Sequence, residues 1–270
     1  MFVDLHIHSW YSDGTLSPAE IVEKAKAQNI SLISICDHNL IDAYKDLHDI
    51  QFINGVEINS VMDDAEYHIL AYGFDTENKS LNQLLEYSRS IHIDKGKKLI
   101  ENISMDYPNI LMEEFLKYER NRKNGGWESI DYIKSKKVFG SVEEFFELVR
   151  KYGEPPDKEF LPPAEIIKII REAGGYAVLA HIGDYPDYKK TAIQFLNMGI
   201  DGFECYYPLH TAEIIEFIVK FCRERDLIIT AGSDEHGRFS NLDVRGYYIG
   251  AVKVKLEQLN LKGLYNNARS

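Results

Sequence analysis

Cysteine, positive charge and long apolar runs are all scarce in this sequence. Three cysteines (Cys36, Cys205 and Cys222) with no CxxC pair argue against a disulfide framework and fit reduced thiols in a cytoplasmic protein. Lysine and arginine number 31 against 43 aspartates and glutamates, for a net charge of -12. Such a surface repels a long polyanion, so extended duplex nucleic acid is a poor partner. A small phosphorylated substrate stays compatible, because a bound metal can override the global charge locally. The N-terminal stretch MFVDLHIHS has no basic region followed by an apolar one and does not read as a signal peptide. No uninterrupted apolar run approaches the length of a membrane span. What the chain does have is core material: 44% of its 270 residues are hydrophobic, enough for one large domain or a domain carrying an insertion.

Hydropathy patterning divides the chain into three. Phe2 to Ile7, Leu32 to Cys36, Phe52 to Ile58 and Tyr67 to Phe74 read as strands. Between the first two, Ser17-Pro18-Ala19-Glu20 carries a capping box and opens a helix with Ile21, Val22 and Ala25 on one face. This alternation predicts a largely parallel α/β sheet or barrel. Residues 75–160 change character: they are rich in Lys, Glu, Asn and Tyr and predict helices near Ser80 to Asn102, Leu111 to Arg120, Glu128 to Ser135 and Val142 to Tyr152. Gly125-Gly126 and Glu154-Pro155-Pro156 read as breaks. Alternation then resumes. A helix from Pro162 ends at Gly174-Gly175, and strands at Tyr176 to Ala180, Gly202 to Tyr206 and Leu227 to Ala231 are separated by helices at Thr191 to Met198 and Ala212 to Arg225. The expected organisation is therefore a unit of residues 1–74 and 161–270 with 75–160 as an inserted helical subdomain.

Chemistry concentrates at the strand ends. In Asp4-Leu5-His6-Ile7-His8 the period of two places the three polar side chains on one face and Val3, Leu5 and Ile7 on the other. Polar side chains inside a sheet or barrel are costly unless something binds them, and a metal held by His6 and His8 removes that cost. An HxH alone says little. Here it is followed by Asp13, by Asp37-His38, by Glu57, by His68, by His181 and by Ser233-Asp234-Glu235-His236. The C-terminal strand ends of a parallel α/β barrel converge on one rim. Imidazole and carboxylate together suit Zn²⁺, Mn²⁺ or Fe²⁺, and closely spaced ions suit phosphate-ester hydrolysis.

The ordered segments DLHIHS, SDG, CDHN, GVE, YHIL, LAHIG and AGSDEHG resemble the PHP (polymerase and histidinol phosphatase) family of metal-dependent phosphoesterases, from Asp4 to Gly237. The resemblance implies a distorted (β/α)7 barrel with a helical cap and three divalent ions. His6, His8, Glu57 and Asp234 would hold one; a bridging Glu57 with His68 and His181 a second; Asp13, His38 and His236 a third. A metal-bridging hydroxide would attack phosphorus. Asp4 and Asp37 would orient ligating histidines, Asp37 having general acid as its other reading. His210 is placed either against substrate or at a helix start. Use of Asp13 and a helical insertion resembles the branch acting on nucleoside monophosphates and 3′,5′-bisphosphonucleotides. Arg120, Arg122 and Lys123 then become candidate phosphate contacts, as does Arg238 or Arg245. The Arg-Pro-His segment associated with that branch is replaced by Gly125-Gly126-Trp127-Glu128-Ser129. Rival readings are a histidinol-phosphate phosphatase, a short-RNA exonuclease, a non-catalytic metal-binding domain and an amidohydrolase-like enzyme. His48 and His92 read as ordinary surface histidines.

Overall fold

The computed structural model describes residues 1–153, 159–237 and 247–268. The break expected at Glu154-Pro155-Pro156, and Arg238 and Arg245, lie outside them. The chain forms a mixed α/β fold of two sheets and eight helices among the described residues. The first sheet has the order β3-β2-β1-β9, formed by β1 (Phe2–Ile7), β2 (Ile30–Ile35), β3 (Gln51–Phe52) and β9 (Val254–Lys255). The second has the order β4-β5-β6-β7-β8, with β4 (Gly55–Met62), β5 (Ala65–Tyr72), β6 (Tyr176–Leu179), β7 (Gly202–Tyr206) and β8 (Ile228–Ala231).

The expectation of a largely parallel arrangement is corrected at β5, which runs antiparallel to both β4 and β6. The cause is local. Asp63 and Asp64 both take positive φ (52° and 61°) and close a two-residue hairpin between β4 and β5. That is the geometry whose twist suits an antiparallel pair, and Asp tolerates it better than most residues. The run read as one strand from Phe52 to Ile58 divides at Ile53-Asn54. Its first part pairs with β2 and its second with β5, so Glu57 sits near the start of a strand rather than at its end.

Between the sheets lies a core that includes Val3, Leu5, Leu32, Cys36, Leu70, Tyr72, Val178 and Ile228. Helix α1 (Pro18–Ala27) has the expected capping box, Ser17 with Glu20, and packs Ile21, Val22 and Ala25 on Ile7, Ile33 and Ile35. Val3 and Leu5 thus face the inter-sheet core while Ile7 faces α1. The expected single alternation through β1 is interrupted by a register shift between Asp4 and Ile7. Helices α6 (Pro163–Glu172), α7 (Tyr188–Met198) and α8 (Ala212–Arg223) cover the second sheet.

The central residues form α2 (Lys79–Ser104), α3 (Met112–Phe115), α4 (Glu128–Ser135) and α5 (Val142–Tyr152). The helix expected from Leu111 to Arg120 shrinks to one turn. The first half of α2 buries Leu81, Leu84 and Leu85 in the core of the second sheet. Its second half joins Ile110, Tyr132, Ile133, Phe139 and Leu148 in a separate cluster. No helix among the described residues is long and apolar enough to cross a membrane.

Within the core between the sheets, the Tyr72 hydroxyl on β5 donates to the Leu5 carbonyl on β1 at 2.7 Å. Tyr72→Phe should lower the free energy of unfolding in denaturant by about 1–2 kcal/mol. An unchanged midpoint and slope would mean that this bond does not couple the sheets.

Candidate metal centre

Single backbone bridges join the sheets at one end, Ile7 to Glu235 and His38 to Glu57. The chemistry-bearing side chains collect there. His6 lies in β1 and His8 just beyond it. The chain then turns back to deliver Asp13. At Gly14 a Cβ would stand 2.5 Å from the His8 carbonyl oxygen, so the turn needs glycine. Asp37 pins this loop by accepting from Ser9 N at 2.7 Å, Ser9 Oγ at 2.6 Å and Ser12 Oγ at 2.6 Å. Asn39 N donates to Glu57 O at 2.9 Å and so fixes His38 beside Glu57. His68 stands on β5 opposite Asn59. His181 and Asp234 follow β6 and β8 with left-handed φ of 27° and 54°. Such a conformation in non-glycine residues is held against its own preference by the surrounding structure.

The nine expected ligand residues come together in three interlocking groups: His6, His8, Glu57 and Asp234; Glu57, His68 and His181; and His8, Asp13, His38 and His236. Within each group the donor atoms lie within 4.8 Å of one another. Glu57 is common to two groups and His8 to two. His8 had been expected in one only. His6 Nε2 and His8 Nε2 are 3.1 Å apart, and His8 Nε2 lies 3.2 Å from Glu57 Oε2 and 3.1 Å from Asp234 Oδ1.

This donor set fits divalent ions. His8 Nδ1 and His38 Nδ1 are buried without a hydrogen-bond partner and face Asp13 Oδ1 at 3.6 Å and Glu57 Oε2 at 3.3 Å. A coordinated cation would satisfy both nitrogen lone pairs and carboxylates. The electrostatics demand positive charge. Burial opposes ionisation of Asp13, Glu57 and Asp234, yet the surrounding imidazoles outweigh it and hold all three carboxyls well below the usual range. Burial likewise opposes a charged His68 or His236, but the carboxylate of Glu57 beside the first and that of Asp13 beside the second raise each to about 10.

Other expected roles are corrected. Arg120 does not face the site. Its Nη1 donates to Ser12 O at 2.6 Å and to Gly126 O, and its Nη2 to Trp10 O at 2.8 Å, which makes it a tie between loops. Arg122 lies over the Tyr11 ring at 4.9 Å and Lys123 faces Glu20 at 3.6 Å. None of the three lines the cavity above the centre. His210 uses both ring nitrogens on backbone: Nε2 accepts from Gly183 N and Nδ1 donates to Cys205 O, each at 3.0 Å. It therefore shapes the turn after His181. Neither Asp4 nor Asp37 hydrogen-bonds a histidine ring. Asp4 accepts from Ser233 N at 2.9 Å and Gly250 N at 2.8 Å, and burial pushes its pKa up to about 6. His48 is exposed as expected, but His92 is not an ordinary surface residue: it stacks on Trp127 and bonds Asn59 Oδ1 at 3.0 Å.

The carboxylate that orients His6 is Glu204, which sequence reasoning missed. Its Oε1 accepts from His6 Nδ1 at 3.0 Å and its Oε2 from His181 N at 2.8 Å. The available signal was an acid in the middle of the apolar strand Gly202–Tyr206. Also missed were Glu66 Oε1, 3.4 Å from His68 Nε2, and the Tyr185 hydroxyl, which accepts from His68 N at 3.1 Å. Above the centre lies a cavity of about 570 Å³, with Trp127, Ile130, Phe145, Phe146, Tyr185 and Tyr247 among its walls.

The PHP domain matches residues 4–176 of the chain. A 5′-3′ exoribonuclease of Haemophilus influenzae is 26% identical over 251 residues, covering 86% of this chain and 89% of the relative. A 3′,5′-nucleoside bisphosphate phosphatase of Chromobacterium violaceum is 24% identical, covering 87% of each. A Bifidobacterium adolescentis structure, assigned as a metal-dependent phosphoesterase, superposes with a TM-score of 0.78 at 24% identity over 95% of this chain and 93% of its own. It is alike in fold. With a match spanning well over half its length, and with the histidine and carboxylate groups gathered at one end of its sheets, the chain belongs to the PHP domain family.

Proposed function

We propose that this protein is a metal-dependent phosphoesterase that hydrolyses a small phosphomonoester, a nucleotide, at a centre of three divalent ions (Mn²⁺, Zn²⁺ or Fe²⁺). The observation that carries this is the set of three interlocking donor groups opening into one cavity. When bound, the ions supply Lewis-acid charge for the phosphoryl oxygens and activate water as nucleophile. The chain's own residues do the rest. Glu204 accepts a hydrogen bond from His6 Nδ1–H and so leaves the lone pair of Nε2 for the centre. Through its other oxygen it sets the backbone that carries His181. Glu57 and His8, each shared by two groups, link the three together.

The nucleotide reading rests on size and charge. The cavity has the volume of a typical small-ligand site, and among the described residues its walls carry no lysine or arginine. A polyanion would need a basic track along its backbone. That favours a single phosphomonoester over RNA, although the Haemophilus relative is an exoribonuclease. We assign residues 75–160 as a helical cap on a distorted (β/α)7 barrel. The bridges Ile7–Glu235 and His38–Glu57 mark the seams where closure would occur. The cytoplasm is the compartment this reading assigns, on three buried thiols.

Protein reconstituted with Mn²⁺ or Zn²⁺ should release phosphate from AMP or 3′,5′-bisphosphoadenosine more readily than from histidinol phosphate, a short RNA or p-nitrophenyl phosphate. The His8→Ala, Glu57→Gln double variant should release none. Silence on every substrate with metals bound would overturn the phosphatase reading. Glu204→Ala should weaken metal affinity roughly 10- to 100-fold; wild-type affinity in a chelator competition would refute its orienting role. Finally, ions must displace protons from His68 and His236, whose metal-free pKa values lie above neutrality. Protons should therefore be released on Zn²⁺ titration, and apparent affinity should rise from pH 6 to pH 8. Calorimetry in buffers of different ionisation enthalpy measures this, and a buffer-independent heat would contradict it.

A further inference from the structure

We infer that Trp127 is the surface on which the planar ring of the substrate's leaving group stacks, and that it sets a preference for nucleotides over non-aromatic phosphomonoesters. This rests on the phosphomonoesterase reading above. The motif that carries it is Gly125-Gly126-Trp127.

The indole is held in place from several directions. Gly125 and Gly126 take φ of 67° and 68°, so the chain can double back and still present the next side chain inward. Gly126 N donates to Asp13 O at 2.7 Å, which fastens the turn to a residue of the third donor group. Arg120 clamps Gly126 O together with Ser12 O and Trp10 O. The His92 ring lies nearly parallel to the indole, 13° between planes and 4.5 Å between centroids, and is itself anchored on Asn59.

One face of Trp127 is thus occupied. Trp127 lines both the main cavity and a smaller neighbouring one, whereas His92 lines only the smaller. Trp127 therefore borders the main cavity where His92 does not. Its ring centroid is 6.2 Å from that of His38, a donor in the third group. A phosphate at the centre would leave its ester group beside this ring. Ile130, Phe145 and Phe146 continue the wall, and no lysine or arginine among the described residues does. The described walls offer an organic ring dispersion and π-stacking. Because the indole is already immobilised, stacking costs little ordering entropy.

The experiment uses full-length, Zn²⁺-loaded Trp10→Phe protein, in which Trp127 is the sole indole. Fluorescence is followed on addition of AMP, adenosine or ribose 5-phosphate, with phosphate release measured on AMP and ribose 5-phosphate in parallel. Quenching by AMP and adenosine but not by ribose 5-phosphate is expected. In the otherwise native chain, Trp127→Leu should lower the ratio of kcat/KM for AMP over ribose 5-phosphate by on the order of 10-fold, and Trp127→Phe should restore most of it. Unquenched fluorescence with an unchanged ratio, while phosphate is still released, would overturn the stacking assignment alone. Quenching by adenosine without phosphate release from either ester would overturn the phosphatase reading and leave the aromatic site standing. Absence of both signals would overturn both.

Discussion

Neutralising a buried knot of carboxylates is the constraint on which the rest of this structure depends. Glu57 and Asp234 are 1% and 3% exposed, Glu204 is fully buried, and Asp13 stands close by. Each such charge costs several kcal/mol to remove from water unless a partner meets it at short range. The partners present are imidazoles, whose protons and whose metal ions are alternative ways of supplying the same positive charge. This explains why six histidines crowd to ring separations as short as 3.9 Å, a density that would be repulsive without the acids between them.

The scaffold is arranged around that requirement. The two sheets share an apolar interior, and their recorded strand bridges, Ile7–Glu235 and His38–Glu57, stand at the end where the donors lie. Backbone bonds from Asn39 to Glu57 and from Asp234 to His6 therefore join the sheets and set donor spacing at once. Asp37, Asp4 and His210 belong to this layer. Each spends its hydrogen bonds on backbone or serine hydroxyls rather than on the side chains of the donors. Gly232 belongs to it too, since a Cβ there would stand 2.2 Å from the Cβ of His6.

The central helices follow a different logic. They own a separate apolar cluster, yet α2 is rooted in the core of the second sheet, and Arg120 and Gly126 bind the loops around Asp13. An arginine whose Nη1 and Nη2 are held by three carbonyls ties loops together and is not among the residues that line the cavity. The described residues of these helices that line the cavity are aromatic and aliphatic: Trp127, Ile130, Phe145 and Phe146.

The grouping of nine histidines, aspartates and glutamates was legible in the sequence because those residue types recur in and just after its strands. The secondary structure was legible for the same kind of reason. The Ser17–Glu20 capping box, the helices Glu128–Ser135 and Val142–Tyr152 and the strand Gly202–Tyr206 fall where local periodicity puts them. Tertiary structure decided what depends on partners far along the chain. The direction of β5 turned on two aspartates with positive φ, whose propensity is weak evidence for a hairpin until the strands pair. Arg120 became a tie because Trp10, Ser12 and Gly126 present carbonyls to it, and His92 left the surface because Trp127 covers it. Glu204 reached His6 across 198 residues. Sequence fixes the donors a protein can offer, but only packing decides which acceptor each one meets, since a hydrogen bond is made within about 3 Å regardless of separation along the chain.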